Sequence, residues 1–225
     1  LHFHSRDAIS NLFIEPQPTP ASPGEAEVLL RVRAVGLNFR DVLNVLGEYP
    51  GDPGPPGGDV AGVVRVADDT PEAEGGRAFG LAHAPLACVA RAATALLARQ
   101  PVALTFEEAC TLPVTWSTTH AALERALLQS GGSMVVQAAA GGVGLKATEY
   151  AQWLAAAVVG TAGRPHKHAQ LRGAGVHKLC SSREGAAFGL GAMRLLSGGR
   201  SHAVLNSLSL DWIAGSFLSL IHISE

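Results

Sequence analysis

The sequence predicts an α/β protein in which a strand-rich N-terminal part precedes a doubly wound parallel sheet. The first hundred residues hold short apolar runs separated by turns rich in Gly and Pro, as in a small irregular β domain. From Pro101 onward, apolar strands alternate with helical patterns, and this alternation indicates parallel βαβ units. We therefore predict a β domain at 1–100, an α/β domain at 101–218 and an off-pattern tail at 219–225.

The N-terminal part is predicted from alternation and from capping signals. Asn38 can cap a helix at 39–46, with Asp41 at its third residue and Gly47 at its end. The other elements follow from apolar patterns and from Pro and Gly positions: a strand or an irregular entry segment at 1–11, a loop at 15–24, a strand at 27–35, irregular chain at 52–58, a strand at 59–66, a polar turn at 68–77 and two short strands at 78–90.

The C-terminal part opens with a capping-box signal at Thr105 and Glu108, followed by a largely helical run to residue 123. Pro165 is placed to open a later helix, and Gly175 to end it. The remaining predicted elements are strands at 134–138, 156–161, 176–180 and 203–206, and a helix at 188–196.

The most informative motif lies at 133–154, where an apolar strand, a glycine turn and an amphipathic helix follow one another. Its spacing, Ala139-x-Gly141-x-x-Gly144, is a form of the dinucleotide-binding fingerprint. The free N–H groups and the dipole at the start of such a helix favour a pyrophosphate. A tight turn in an ordinary α/β fold is the alternative. The predicted cofactor contacts in this turn are Ala139, Ala140, Gly141, Gly142, Val143 and Gly144.

The end of the second parallel strand indicates which dinucleotide is bound. NAD-binding proteins tend to place Asp or Glu about 20 residues after the glycines. Gly163 follows Gly144 by 19 positions (163 − 144), and residues 161–167 contain no carboxylate. Arg164 and Lys167 could instead bind a 2′-phosphate, which predicts NADPH over NADH. The alternative is that both are solvated surface charges.

Composition narrows the choice of partners and compartment. The net charge of −2 does not favour a nucleic-acid or polybasic membrane partner. Charged residues make up only 16%, so we expect another segment, domain or partner to cover part of the surface. The three distant cysteines, Cys88, Cys110 and Cys180, predict neither a disulfide framework nor a zinc site. We expect a reducing, cytoplasmic location, with no signal peptide and no membrane span.

Several phrases together resemble a known family. They lie at 35–43, 46–51, 58–62, 112–118, 138–144 and 204–208, and the most specific is Leu-Asn-Phe-Arg-Asp-Val-Leu at 37–43. The chain resembles the zinc-free branch of the medium-chain dehydrogenase/reductases, and within it the enoyl-reductase domains of polyketide and fatty acid synthases. The resemblance runs from about residue 12 to about residue 218.

The resemblance implies a GroES-like β domain followed by a Rossmann domain, with the site in the cleft between them. It implies NADPH-dependent reduction of an enoyl thioester carried on an acyl carrier protein, beside neighbouring domains of a megasynthase. A homodimer is also compatible with it. Two other functions stay open: a free-standing quinone or enone oxidoreductase, and a truncated non-catalytic nucleotide-binding module.

The resemblance also implies roles for individual residues. Tyr49 is linked to protonation of the substrate α carbon, and Asn38 to the substrate itself. Thr118 would approach the nicotinamide, while Asn206 and Ser207 would line the same crevice at a strand end. The alternatives are structural: an aromatic residue in a turn for Tyr49, a helix cap for Asn38, and ordinary polar groups for the other three.

Comparison with the family pattern leads to three further expectations. Zinc-containing relatives place a cysteine near Asn38 and a Gly-His-Glu phrase near Gly58, where this chain has Asn38 and Asp59, so no catalytic metal is predicted. Arg40 and Asp41 are expected to hold their loop through an ion pair. The family continues with further Rossmann strands and a candidate proton-donating Lys, so we expect a C-terminally truncated chain that alone binds NADPH weakly and reduces little.

Overall fold

The computed structural model describes residues 1–65, 74–183, 185–196 and 201–208, together with Ile213, Ser216 and Leu220. The chain divides into two compact units, Leu1–Val114 and Thr115–Glu225. The domain boundary predicted between residues 100 and 101 stays a prediction.

The first unit is built on a five-stranded antiparallel sheet. Its strands, in the spatial order β6-β3-β4-β5-β7, are β3 (Glu27–Gly36), β4 (Asp59–Arg65), β5 (Glu74–Leu81), β6 (Val89–Ala93) and β7 (Leu97–Arg99), and a separate ribbon pairs β1 (His2–Phe3) with β2 (Leu12–Phe13). Short helices complete the unit: α1 (Phe39–Leu46), α2 (Phe106–Ala109) and two 3₁₀ turns at Ile9–Asn11 and Thr94–Leu96.

The alternation of side chains along β3 explains the core of this unit. Leu30 of β3 packs with Val60, Ala78 and Ala92 from the other strands, and all four are buried. Burying a leucine side chain contributes roughly 1.5–3 kcal/mol. The register of β3 against β4 shifts between Val32 and Ala34, so a bulge separates the core-forming half of β3 from the half that leads into α1.

The second unit is a parallel sheet with helices, as predicted. Its four described strands, in the order β10-β9-β8-β11, are β8 (Ser133–Val136), β9 (Ala157–Ala162), β10 (Lys178–Ser181) and β11 (Ala203–Leu205). The helices are α3 (Pro113–Arg125), whose first two residues belong to the first unit, α4 (Gly142–Trp153), α5 (Pro165–Gly173) and α6 (Gly185–Leu195). All four residues of β8 are buried, which matches a central parallel strand covered on both faces.

Some predicted boundaries were wrong. The polar turn predicted at 68–77 includes residues 74–77, which belong to β5, whereas 68–73 lie outside the described residues. The strand predicted at 134–138 ends at Val136, because Ala138 adopts a left-handed backbone with φ +48° that cannot continue a strand. Strand β7 was not predicted, since three residues carry no readable periodicity. The tail at 219–225 lies outside the described residues except for Leu220.

No helix formed by the described residues is long and apolar enough to cross a membrane.

Candidate active site

The glycine turn is anchored to the neighbouring strand before the helix begins. Ala138 donates its backbone N–H to Thr161 Oγ1 at 3.1 Å, and Ala139 donates to the Thr161 carbonyl at 2.9 Å. Thr161 is fully buried near the end of β9. Gly141 then closes the turn by donating to the Ala138 carbonyl at 2.9 Å. The turn is thus fixed at the carboxyl edge of the parallel sheet, where open α/β sheets bind ligands.

The start of α4 offers backbone donors at this edge. Leu145 N–H bonds to the Gly141 carbonyl at 2.9 Å and begins the helical ladder. Gly142, Val143 and Gly144 are the first three residues of α4. Their N–H groups therefore lie in the first turn, where backbone donors have no acceptor within the helix. Gly141 and Gly142 are exposed, which leaves room for an anion to approach the backbone.

Gly144 allows the start of α4 to pack closely against the backbone of the glycine turn. A Cβ at Gly144 would lie 2.5 Å from the Ala138 oxygen and 2.6 Å from the Ala139 Cα. Both contacts are with backbone, so neither can move aside. The absence of a side chain therefore lets α4 start directly against the turn, which brings its N–H groups to the sheet edge.

Helix α3 supports the turn through two threonines that the sequence did not single out. Thr119 is fully buried and donates Oγ1 to the Val143 carbonyl at 3.5 Å. The Thr115 methyl carbon would lie 3.2 Å from a Cβ at Gly142. The predicted residue, Thr118, is exposed on the same helix. The four-residue spacing of Thr115 and Thr119 on a helix preceding the motif was the available signal.

The residues predicted to bind the 2′-phosphate follow the end of β9, and Ser182 and Arg183 lie beside them at Gly163. Gly163 follows β9, Arg164 is the N-cap of α5, and Lys167 lies in its first turn with an exposed side chain. A Cβ at Gly163 would lie 3.0 Å from Ser182 Oγ and 3.4 Å from Arg183 Nε. Both of these residues follow β10, the neighbour of β9 in the sheet. A third cation, Arg183, therefore lies beside Gly163, the residue that precedes Arg164.

The other side of the glycine turn borders β11. Gln137 donates its backbone N–H to the Leu205 carbonyl at 3.0 Å, which continues the pairing of β8 with β11 to the sheet edge. Asn206 and Ser207 follow at this edge and are exposed, and their place in a cofactor crevice stays a prediction. Asn206 Oδ1 accepts the Leu208 N–H at 2.9 Å, so its side chain shapes the local turn.

In the first unit, Asp41 binds backbone rather than Arg40. Its two carboxylate oxygens accept the Asn38 N–H at 2.8 Å and the Gly57 N–H at 2.7 Å. The Asn38 contact closes one half of the predicted capping box. Arg40 donates instead to the Pro53 carbonyl, and these two described residues form no ion pair, so that prediction was wrong. Asp41 is 6% exposed, and its charge is satisfied by N–H donors.

Asn38 is held by a buried carboxylate. Its Nδ2 donates to Asp59 Oδ2 at 3.0 Å, while the other Asp59 oxygen accepts the Val114 N–H at 3.0 Å. Asp59 is 1% exposed at the start of β4. Burial raises the pKa of Asp59 above that of an ordinary aspartate, and the two hydrogen bonds partly oppose the rise.

Tyr49 lies on a loop that folds back along α1. Gly47 ends the helix with φ +73°, and Tyr49 N–H donates to the Leu43 carbonyl at 3.2 Å. The Tyr49 ring is half-buried, with the Arg40 guanidinium carbon 5.5 Å from its centroid. Asn44, 1% exposed, donates to the Gly54 carbonyl at 3.0 Å. The predicted catalytic tyrosine is thus presented by a loop that α1 side chains hold in place.

Comparison with known proteins decides the family. No family model matches the chain. The spectinabilin polyketide synthase system protein NorB of Streptomyces orinoci is 40% identical over 214 residues, 92% of this chain and 10% of NorB. The crystal structure of CurK enoyl reductase matches with a TM-score of 0.87 at 31% identity, over 97% of this chain and 69% of that chain. The structure of mycobacterial Rv1454c complexed with NADPH matches with a TM-score of 0.84 at 27% identity, over 97% of this chain and 69% of that one.

The chain belongs to the enoyl-reductase family of polyketide synthases. This membership confirms the predicted fold class, a GroES-like β domain followed by a Rossmann domain. The chain spans about a tenth of the length of NorB and 69% of CurK enoyl reductase. The roles of its individual site residues stay predictions.

In this chain a hydrogen-bonded pair lies where the resemblance implies that zinc-containing members of the superfamily hold metal. Asn38 and Asp59 occupy those positions and bond to each other at 3.0 Å. Across the described ranges, no three His, Cys, Asp or Glu side chains lie close enough together to hold a metal ion. Zinc-independent catalysis stays a prediction.

Proposed function

We propose that this enzyme uses NADPH to reduce the α,β double bond of an enoyl thioester carried on an acyl carrier protein during polyketide synthesis. The observation that carries the proposal is the likeness to CurK enoyl reductase over 97% of the chain. The relatives are multidomain synthases, so we also propose neighbouring domains on the same polypeptide as partners.

The residues present fit a dinucleotide. The pyrophosphate would meet the N–H groups of Gly142, Val143 and Gly144 at the start of α4, beside the exposed Gly141. The small side chains of Ala139 and Ala140 add no bulk to this turn. The cations Arg164, Lys167 and Arg183 would receive the 2′-phosphate near Gly163. Thr118, Asn206 and Ser207 would border the nicotinamide end.

The substrate side of the proposal rests on Tyr49 and Asn38. NADPH, when bound, supplies the hydride that reaches the β carbon. The Tyr49 phenol carries an O–H that can be donated to the α carbon. Asn38 donates one of its two Nδ2 hydrogens to Asp59. We propose that the other hydrogen is donated to the thioester oxygen, where negative charge develops.

The proposed function is tested by following NADPH oxidation with crotonyl thioesters, attached to an acyl carrier protein or to its pantetheine arm. Saturated product, with NADPH preferred over NADH, would support the proposal. Rapid turnover of quinones without turnover of enoyl thioesters would replace it with a quinone oxidoreductase. The measurement should be made on the native polypeptide that carries the chain, because the solved relatives are longer.

Replacing Tyr49 with phenylalanine is expected to lower kcat by about a hundredfold to ten-thousandfold, because a positioned proton donor contributes on that order. The KM for NADPH should stay unchanged, since the tyrosine is not placed at the nucleotide. Solvent deuterium content at the α carbon of the product reports the proton step directly. Full activity of this variant with unchanged α-carbon stereochemistry would assign proton delivery to another group.

A further inference from the structure

Asp59 is a buried carboxylate to which the proposed reaction gives no task. It is 1% exposed at the start of β4 and pairs with Gly36 of β3 and Leu81 of β5. A charged group buried to this degree is costly unless its oxygens are hydrogen-bonded. The two carboxylate oxygens accept hydrogen bonds from Asn38 Nδ2 at 3.0 Å and from the Val114 backbone N–H at 3.0 Å.

These contacts help to fix the orientation of the Asn38 amide, whose side chain also caps α1 at the backbone of Asp41. An asparagine side chain presents an acceptor on one side and two donors on the other, in nearly the same shape. An ionised carboxylate only accepts hydrogen bonds, so Asp59 can bind Asn38 through Nδ2 and not through Oδ1. The Val114 contact holds the opposite oxygen of the same carboxylate, which prevents it from rotating freely.

The backbone around the pair resists adjustment. A Cβ at Gly36 would lie 2.1 Å from the Cys110 carbonyl oxygen and 2.9 Å from the Asp59 Cβ, so β3 passes closely against both. The Asn38 N–H is bound separately by Asp41 at 2.8 Å. Both the main chain and the side chain of Asn38 are therefore held by carboxylates, one on α1 and one on β4.

We infer that Asp59 is a positioning residue of the reduction, which acts through Asn38 by holding its amide with a donor directed at the substrate oxygen. The inference rests on the proposed function, because it explains how Asn38, proposed there to bind the substrate oxygen, is held in the required orientation. Asp59 touches neither substrate nor cofactor in this assignment.

The substitution Asp59→Asn tests the inference with almost no change of shape. The introduced amide can still accept the Val114 N–H through its oxygen, but its NH₂ group then faces the donor side of Asn38. Relief of that donor–donor contact requires the Asn38 amide to turn over, which directs its oxygen at the substrate. We expect kcat to fall by about tenfold to a hundredfold, as for a misplaced catalytic group, with the Kd for NADPH unchanged.

A double-mutant cycle separates positioning from a general structural role. In the Asn38→Ala background, Asp59→Asn should cost less than about twofold in kcat, because the group it acts through is gone. An equal loss in both backgrounds would overturn the inference. Asp7→Asn is the matched control, since Asp7 is exposed and bonds only locally, to Ser5 and Asn11.

The pH profile supplies a second measure. Protonation of Asp59 replaces one acceptor oxygen with a donor, so kcat should fall in acid as the Asn38 contact is lost. Burial raises the pKa of Asp59, and the nearby Asp41 charge raises it further, while the hydrogen bonds from Asn38 and Val114 lower it. The neighbouring Cys110 thiol also has a pKa raised by burial. The net pKa is raised, so this fall should begin at higher pH than for an ordinary aspartate. Asp59→Asn should lack it.

One readout does not depend on turnover. The side-chain amide signals of Asn38, identified by their loss in Asn38→Ala, should shift in Asp59→Asn and stay in place in Asp7→Asn. Unmoved Asn38 signals would overturn the inference even if the enzyme is active. Shifted signals in a chain without enoyl-thioester turnover would support the positioning and reject the proposed function, so the two failures are distinguishable.

Discussion

Replacement of Gly144 by alanine is expected to abolish measurable NADPH binding. The added Cβ would lie 2.5 Å from the Ala138 oxygen and 2.6 Å from the Ala139 Cα, distances that carbon atoms do not reach. Because both contacts are with backbone, the start of α4 must move away from the turn, and the N–H groups proposed to bind the pyrophosphate move with it. Fluorescence titration of NADPH measures the loss.

The same variant should lower the free energy of unfolding by about 1–3 kcal/mol, the usual cost of forcing an extra carbon into a packed site. Urea denaturation followed by circular dichroism measures this change and shows whether the variant is folded during the NADPH titration. Gly173→Ala is the matched control, because a Cβ at this last residue of α5 meets nothing within 4 Å. A Gly144→Ala protein with normal NADPH affinity would place the nucleotide elsewhere.

The parts of the site that sequence could predict are local. The glycine turn, the capping box at Thr105 and the Asn38 cap each depend on residues within a few positions of one another, so their chemistry is readable from spacing. Thr105, for example, accepts the N–H of Glu108, three residues along the chain, at 3.1 Å. Helix α1 likewise ends at Leu46 because Gly47 supplies the left-handed residue that follows it.

The parts that sequence could not predict depend on chain segments that are far apart. Asp59 lies 21 positions from Asn38 and 55 from Val114, and no periodicity relates them. Arg183 lies beside Gly163 only because β10 pairs with β9, so its basic side chain gave no signal of its own. The ion pair expected between Arg40 and Asp41 failed for the same reason. Gly57, sixteen residues along the chain from Asp41, donates its backbone N–H to that carboxylate instead.

Neutralising Arg164 and Lys167 together, as Arg164→Gln with Lys167→Gln, should weaken NADPH binding by about a hundredfold and NADH binding far less. Each charge-assisted bond to a phosphate contributes roughly 1.5–3 kcal/mol, and only NADPH carries the 2′-phosphate. The ratio of the two dissociation constants, measured by fluorescence titration, therefore reports the contact. The NADPH loss should shrink at high salt, because both cations are exposed and partly screened already.

Arg183→Gln extends this test to the residue that the structure adds. Its Nε would lie 3.4 Å from a Cβ at Gly163, so the substitution should weaken NADPH binding selectively by about tenfold, the value of one such bond. Arg172→Gln is the matched control, because Arg172 is an exposed cation in the last turn of α5, at the opposite end of that helix from Gly163. If Arg172→Gln lowered NADPH affinity as much as Arg183→Gln, the effect would come from general charge. If the double variant Arg164→Gln with Lys167→Gln lost affinity for NADPH and NADH equally, the 2′-phosphate would not bind at this end of the sheet.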